Sequence, residues 1–146
     1  MPKLTACIVA VGSEMLTPFH VDTNSLVITE RLNAIGYDVR LKVVVGDDTG
    51  ELAQVFEGAL IWADVVVVTG GLGPTEDDIT RETIARVLQA PLDVHEHVLE
   101  RIRERFARRG MEMPAINHCQ AMAPRGATLL DNPNGTAPGL WIERGP

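Results

Sequence analysis

Cysteine is nearly missing from this chain: Cys7 and Cys119 are the only two in 146 residues and they lack CxxC spacing. That excludes a disulfide framework and makes a reducing cytoplasm the expected compartment. The N-terminus lacks the cationic, apolar and small-residue succession of a signal peptide, and no apolar run approaches the ~20 residues of a membrane span. Basic charge is also short, with 13 Lys and Arg against 20 Asp and Glu and a net charge of -7. This argues against a nucleic-acid or anionic-membrane partner and leaves small molecules. Several site signatures are missing too. Gly70 to Glu76, GGLGPTE, has neither GxGxxG spacing nor a following Gly-Lys-Ser/Thr, and no GxSxG surrounds Ser13. His95, His97, His118 and Cys119 match no standard zinc spacing, and Cys119 beside His118 reads as packing or ligand contact rather than as a nucleophile pair.

The most informative stretch present is Val65 to Thr80, VVVVTGGLGPTEDDIT. Four valines predict a strand buried on both faces. Gly70, Gly71, Gly73 and Pro74 then allow a sharp turn, and Thr80 is placed to cap a helix from Arg81 to Leu88 that presents Ile84, Val87 and Leu88 on one face. A glycine turn between a buried strand and a helix lies where open α/β sheets bind ligands, and its amides suit phosphate. Glu76, Asp77 and Asp78 would repel an anion there unless a divalent cation bridges them or one acts as a base.

The remaining chain alternates strands and helices, which predicts one domain over 1–146 with a mostly parallel three-layer α/β/α sandwich. Leu4 to Val11 and Tyr37 to Val45 read as strands. A helix capped by Asp22 or Thr23 runs through Leu26, Ile28, Leu32 and Ile35 to Gly36, and Asp48 with Glu51 has capping-box spacing for a helix to Trp62. Asp47 has no such structural duty, so it and Asp78, each just past a parallel strand, are expected to face one pocket. Later come a helix from His95 to Arg109 burying Val98, Leu99, Ile102 and Phe106, a short helix over Pro114 to Met122, and strands at Ala127 to Leu130 and Leu140 to Glu143 around a polar loop. The arginines on the last long helix interleave with Glu96, Glu100 and Glu104 and read as a solvated face. The stop at Arg144-Gly145-Pro146 reads as a turn toward a strand that is not there, as in a fragment or a short family member.

Ala10 to Glu14 (AVGSE), Asp22 to Ser25 (DTNS), Val45-Gly46-Asp47, Thr69 to Thr75 (TGGLGPT) with Asp77 to Thr80 (DDIT), and Asn134 to Gly139 (NGTAPG) together resemble the N-terminal domain of the CinA family of competence/damage-inducible proteins. That domain is similar to the molybdopterin-binding fold of the MoaB and MogA proteins and of gephyrin. The resemblance implies metal-dependent hydrolysis of a nucleotide-sugar phosphoanhydride of ADP-ribose type, with Asp47 and Asp78 catalytic and Asp47, Asp77 and Asp78 holding a divalent ion, Mg²⁺ by default. It also implies ligand contacts from Gly12, Ser13, Glu14, Thr69, Gly70, Gly71, Gly73, Pro74, Thr75, Thr80, Asn134, Gly135 and Thr136. The alternatives are molybdopterin binding or adenylylation in molybdenum cofactor biosynthesis, and a non-catalytic nucleotide-sensing module. Leu72 stands where the molybdopterin enzymes usually have Thr, which favours the CinA branch. The resemblance further implies a homo-oligomer, dimer or trimer, and the family's C-terminal deamidase domain and its Leu-Pro-Gly-type loop are not in this sequence.

Overall fold

The apolar run near the N-terminus forms strand β1 (Thr5–Val11) in a computed structural model of the chain, which describes residues 3–144. Ala6 through Ala10 are completely buried, so β1 is covered on both faces. It is the centre of a three-stranded parallel sheet ordered β2-β1-β3, with β2 Asp38–Val45 and β3 Val65–Thr69. Parallel neighbours need crossovers, and helices α1 (Thr23–Ala34) and α2 (Thr49–Trp62) supply them. The step from β1 to β2 goes one way across the sheet and the step from β2 to β3 goes the other. Right-handed crossovers therefore put α1 and α2 on opposite faces. Leu32 and Ile28 of α1 pack with Ala6 and Ile8, while Leu52, Phe56 and Ala59 of α2 are buried on their own side.

Two carboxylates start these helices. Asp22 accepts from the Ser25 amide at 3.0 Å, and Asp48 Oδ1 accepts from the amides of Gly50 and Glu51, both at 2.8 Å. Both answer the unpaired donors of a first helical turn.

The chain forms two compact units, Met1–Gly71 and Leu72–Pro146. The second holds α3 (Thr80–Val87), β4 (Leu92–Val94), α4 (Glu96–Ala107), a 3-10 segment (Ala115–Ala121), β5 (Met122–Pro124), β6 (Thr128–Leu130) and β7 (Gly139–Trp141). Val98, Leu99, Ile102 and Ala121 form its core, with Phe106, Met113 and Leu129 against it.

The expected α/β fold with a parallel sheet is present: the sheet lies in the first unit, and the short strands of the second pair antiparallel, β4 with β5 and β6 with β7. Several finer expectations need correcting. β3 is half-buried along its length because it lies at the edge of its sheet, with β1 between it and β2. Leu26 and Ile35 are exposed, so α1 rests on a narrower stripe than its apolar positions suggest. Thr80 does not cap α3: Ile79 holds the N-cap position without a side-chain bond, and Thr80 is the first helical residue. The face that α3 buries is Thr80, Arg81, Thr83 and Ala85, whereas Ile84, Val87 and Leu88 are only half-buried.

Candidate ligand-binding site

In the first unit, the loops that leave β1, β2 and β3 emerge together at the carboxyl edge of the sheet. Because β2 and β3 flank β1, the ends of β1 and β3 bound the topological switch point where such sheets leave a crevice. Gly12 extends the ladder by donating to the Val45 carbonyl at 2.9 Å, and the chain then enters a 3-10 turn, Ser13–Leu16. Ser13 and Asp47 hold each other. The Ser13 amide donates to Asp47 Oδ2 at 3.0 Å, and the Asp47 amide donates to Ser13 Oγ at 2.9 Å. This reciprocal pair ties the loop after β1 to the loop after β2. Gly46 leaves room for it, since a Cβ there would lie 3.2 Å from Ser13 Oγ.

Glycine is obligatory at position 70. Its φ is +89°, and a Cβ would fall 2.1 Å from the Val11 carbonyl oxygen, inside any contact distance. Gly71 follows with φ +68°. Just before them, Thr69 ends β3 with a buried hydroxyl that has no hydrogen-bond partner among the described residues.

In the second unit, Asp78 organises the loop that follows. Its Oδ1 accepts from the Gly73 amide at 2.9 Å, and its Oδ2 from the Thr75 amide at 2.9 Å and the Thr75 hydroxyl at 2.6 Å. A Cβ on Gly73 would lie 2.4 Å from Asp78 Oδ2, so glycine permits this approach. Burial pushes the Asp78 carboxyl upward, but the bonds from Thr75 and Gly73 and the charge of Arg81 outweigh it and hold the pKa below the ordinary carboxylate value. Arg81 itself is 2% exposed and donates from Nη2 to the Leu72 carbonyl at 2.7 Å.

Two sequence motifs meet within this unit. Leu72 and Gly73 line one open groove of about 360 Å³ with Asn132, Ala137, Pro138 and Gly139. The polar loop there is tied to itself by Asn132, whose Oδ1 accepts from the Asn134 and Gly135 amides and whose Nδ2 donates to the Ala137 carbonyl. Arg105 of α4 donates to the carbonyls of Pro133 and Gly135, and Arg101 pairs with Asp131. The arginine face thus braces a loop where the sequence reads as solvated. Nothing local in the sequence signals that link, because its partners are 28 to 30 residues apart.

The site residues fall into two groups. Gly12, Ser13, Glu14, Asp47, Thr69, Gly70 and Gly71 belong to the first unit; Gly73, Pro74, Thr75, Asp77, Asp78, Thr80, Asn134, Gly135 and Thr136 belong to the second. One expectation is corrected: Asp47 does have a structural duty, its bond to Ser13. The Gly73 and Thr75 amides, expected to cradle phosphate, donate to Asp78. The fit to a resident metal is poor as well. Both Asp78 oxygens accept hydrogen bonds, and among the described residues no group of three or more His, Cys, Asp or Glu is arranged to hold a metal ion. Asp77 is exposed, and His95 and His97 meet only as an edge-on ring pair with centroids 5.9 Å apart.

Comparison with known proteins agrees with this architecture. Residues 7–146 match the family described as "Probable molybdopterin binding domain". A CinA-like protein of Solibacter usitatus is 46% identical over 140 residues, 96% of this chain, and one of Koribacter versatilis is equally similar over the same share. In both, the chain spans about a third of the relative's length, 34%. The crystal structure of CinA from Thermoplasma acidophilum, titled as of unknown function, is 37% identical with a TM-score of 0.86, over 94% of this chain and 80% of that one. A molybdopterin biosynthesis protein from Mycobacterium abscessus shares the fold at 24% identity, with a TM-score of 0.57 over 95% of this chain and 80% of its own. The sheet order, the glycine turn after β3 and these similarities have one reading: the chain belongs to the molybdopterin-binding-domain family, within its CinA group.

Proposed function

We propose that this chain binds a phosphorylated heterocycle of molybdopterin type at the carboxyl edge of the β2-β1-β3 sheet, and that binding rather than hydrolysis is its primary act. The observation that carries this is the switch point itself: Gly70, at φ +89°, brings the chain leaving β3 against β1, beside the Thr69 hydroxyl with its unspent hydrogen-bonding capacity. The Gly12-Ser13 and Gly70-Gly71 turns border it. The family match over residues 7–146 supports the same ligand class.

The state of the two aspartates weighs against turnover. A general base works best with a pKa near the operating pH, and the hydrogen bonds on Asp78 shift its carboxyl away from that, below the ordinary carboxylate value. Asp47 spends one oxygen on the loop after β1. A second reading, hydrolysis of ADP-ribose, is favoured by Leu72 in place of Thr and by the CinA relatives. In that reading the divalent ion enters on the substrate's phosphates, since the described residues group no three His, Cys, Asp or Glu side chains to hold it.

One experiment separates the two. Purified protein is titrated calorimetrically with a molybdopterin-type ligand and with ADP-ribose, each with Mg²⁺, and AMP release is followed by chromatography. Tighter pterin binding without AMP supports the primary reading. AMP release at catalytic protein concentration moves the assignment to hydrolysis, and tight ADP-ribose binding without release makes the chain a nucleotide-sensing module.

A further inference from the structure

The carbonyl of Leu72 and the amide of Gly73 belong to one peptide unit, and both ends of it are held. Arg81 Nη2 donates to the carbonyl at 2.7 Å, and Asp78 Oδ1 accepts from the amide at 2.9 Å. A peptide next to glycine flips more easily than most, because glycine populates both signs of φ. Here a flip would break both bonds at once. Leu72 and Gly73 also line the groove that contains Asn132 and Pro138, so the orientation of this peptide shapes a surface built from two of the chain's motifs.

Arg81 is an expensive way to hold one carbonyl. It is 2% exposed, its Nη1 lacks a hydrogen-bond partner among the described residues, and that nitrogen's ion pair with the exposed Glu82 Oε1 is long, at 3.5 Å. A guanidinium taken from water without full compensation carries a cost in free energy. A hydrophobic residue at this point of α3 would be cheaper for packing alone.

We propose that Arg81 is a positioning residue: with Asp78 it locks the Leu72–Gly73 peptide in one orientation and so fixes the groove lined by those two residues. The lock stands on geometry; its consequence for ligand affinity rests on the ligand-binding reading given above. Arg81→Met removes the donor while keeping an unbranched stem. Arg81→Lys keeps the charge and a donor but not the planar fork.

The test is amide hydrogen exchange followed by NMR on the full chain, with ADP-ribose affinity measured by calorimetry alongside. In Arg81→Met the Gly73 and Thr75 amides should exchange about tenfold faster or more, while α4 amides such as Ile102 keep wild-type protection. Arg81→Lys should restore most of the difference, and ADP-ribose affinity should fall in the order wild type, Lys, Met. Should Arg81→Met fail to fold, an intermediate Gly73 rate in Arg81→Lys with α4 unchanged supports the lock. Unchanged Gly73 protection in Arg81→Met, or in Arg81→Lys should the Met variant not fold, overturns it, as does equal loss of protection throughout the second unit, which would mean a bulk packing role. Failure of the wild type to bind any ligand sinks the functional reading and leaves the exchange result standing.

Discussion

Two glycines of this chain have opposite jobs, and substitution tells them apart. Gly70→Ala must place a Cβ 2.1 Å from the Val11 carbonyl at a φ of +89°, so the backbone has to move. A positive-φ penalty of about 1–2 kcal/mol plus that clash predicts a loss of more than about 2 kcal/mol in urea unfolding. Gly58 lies inside α2 with nothing within 4 Å of the added atom. Gly58→Ala should therefore stabilise, by about 0.5–1 kcal/mol. The aspartates divide in the same way. Asn at 78 turns one acceptor into a donor facing the donors of Gly73 and Thr75, at a cost of about 1–3 kcal/mol. Asn at 47 keeps an oxygen for Ser13, and Asn at 48 keeps one for the α2 cap, so both should melt close to wild type. Activity lost in Asp78→Asn is interpretable only beside its melting curve; activity lost in Asp47→Asn with an unchanged melt would restore that residue to a catalytic role.

The elements themselves were largely legible, and the reasons are physical. Strands β1 and β3 announce themselves as apolar runs and β2 by its closing Val43, Val44 and Val45, and the caps of α1 and α2 are local, so a window of a few residues contains the whole signal. β4 and β5 have three residues each and pair across the intervening α4, too short for any periodicity. The buried face of α3 differs from its apolar face because hydrophobic periodicity has no means of nominating a buried arginine. The Ser13–Asp47 pair was hidden for another reason, since its members are 34 residues apart and only the sheet order brings their loops together. A similar long-range tie joins the starts of β1 and β3. Asp64 accepts from the Thr5 amide at 2.6 Å and from the Thr5 hydroxyl at 2.8 Å, and these bonds hold its pKa below the ordinary value. A depressed folded-state pKa stabilises above the unfolded value of about 3.9 and ceases to do so as pH falls through the folded one. The melting-temperature gap between wild type and Asp64→Asn should accordingly be open at pH 7 and close progressively below about pH 4. A gap of constant size down to pH 2 would show that the carboxylate's charge contributes nothing there.

At the scale of the whole molecule, the sheet of the first unit has two unlike margins. β2 carries Asp38, Arg40 and Lys42 on exposed positions, the charged dressing that keeps a strand edge from pairing with another chain. β3, VVVVT, carries no charge and is half-buried throughout. Exposed apolar side chains are also concentrated in the first unit, where Phe19 is 89% and Val21 78% exposed beside Leu16 and Leu26. With a net charge of -7 the chain resists indiscriminate association, so what does associate should do so at a defined surface. We therefore expect a closed homo-oligomer, and light scattering across a concentration series should give a mass that is a whole multiple of 15.9 kDa and stable to moderate salt. Phe19→Ser and Val21→Ser together then ask whether the exposed patch is the contact: they remove apolar area without touching the core, so the monomer should remain folded while the multiple disappears. A 15.9 kDa species alone at high concentration would exclude self-association, and an undiminished multiple in the double variant would move the contact away from the Leu16-to-Leu26 surface.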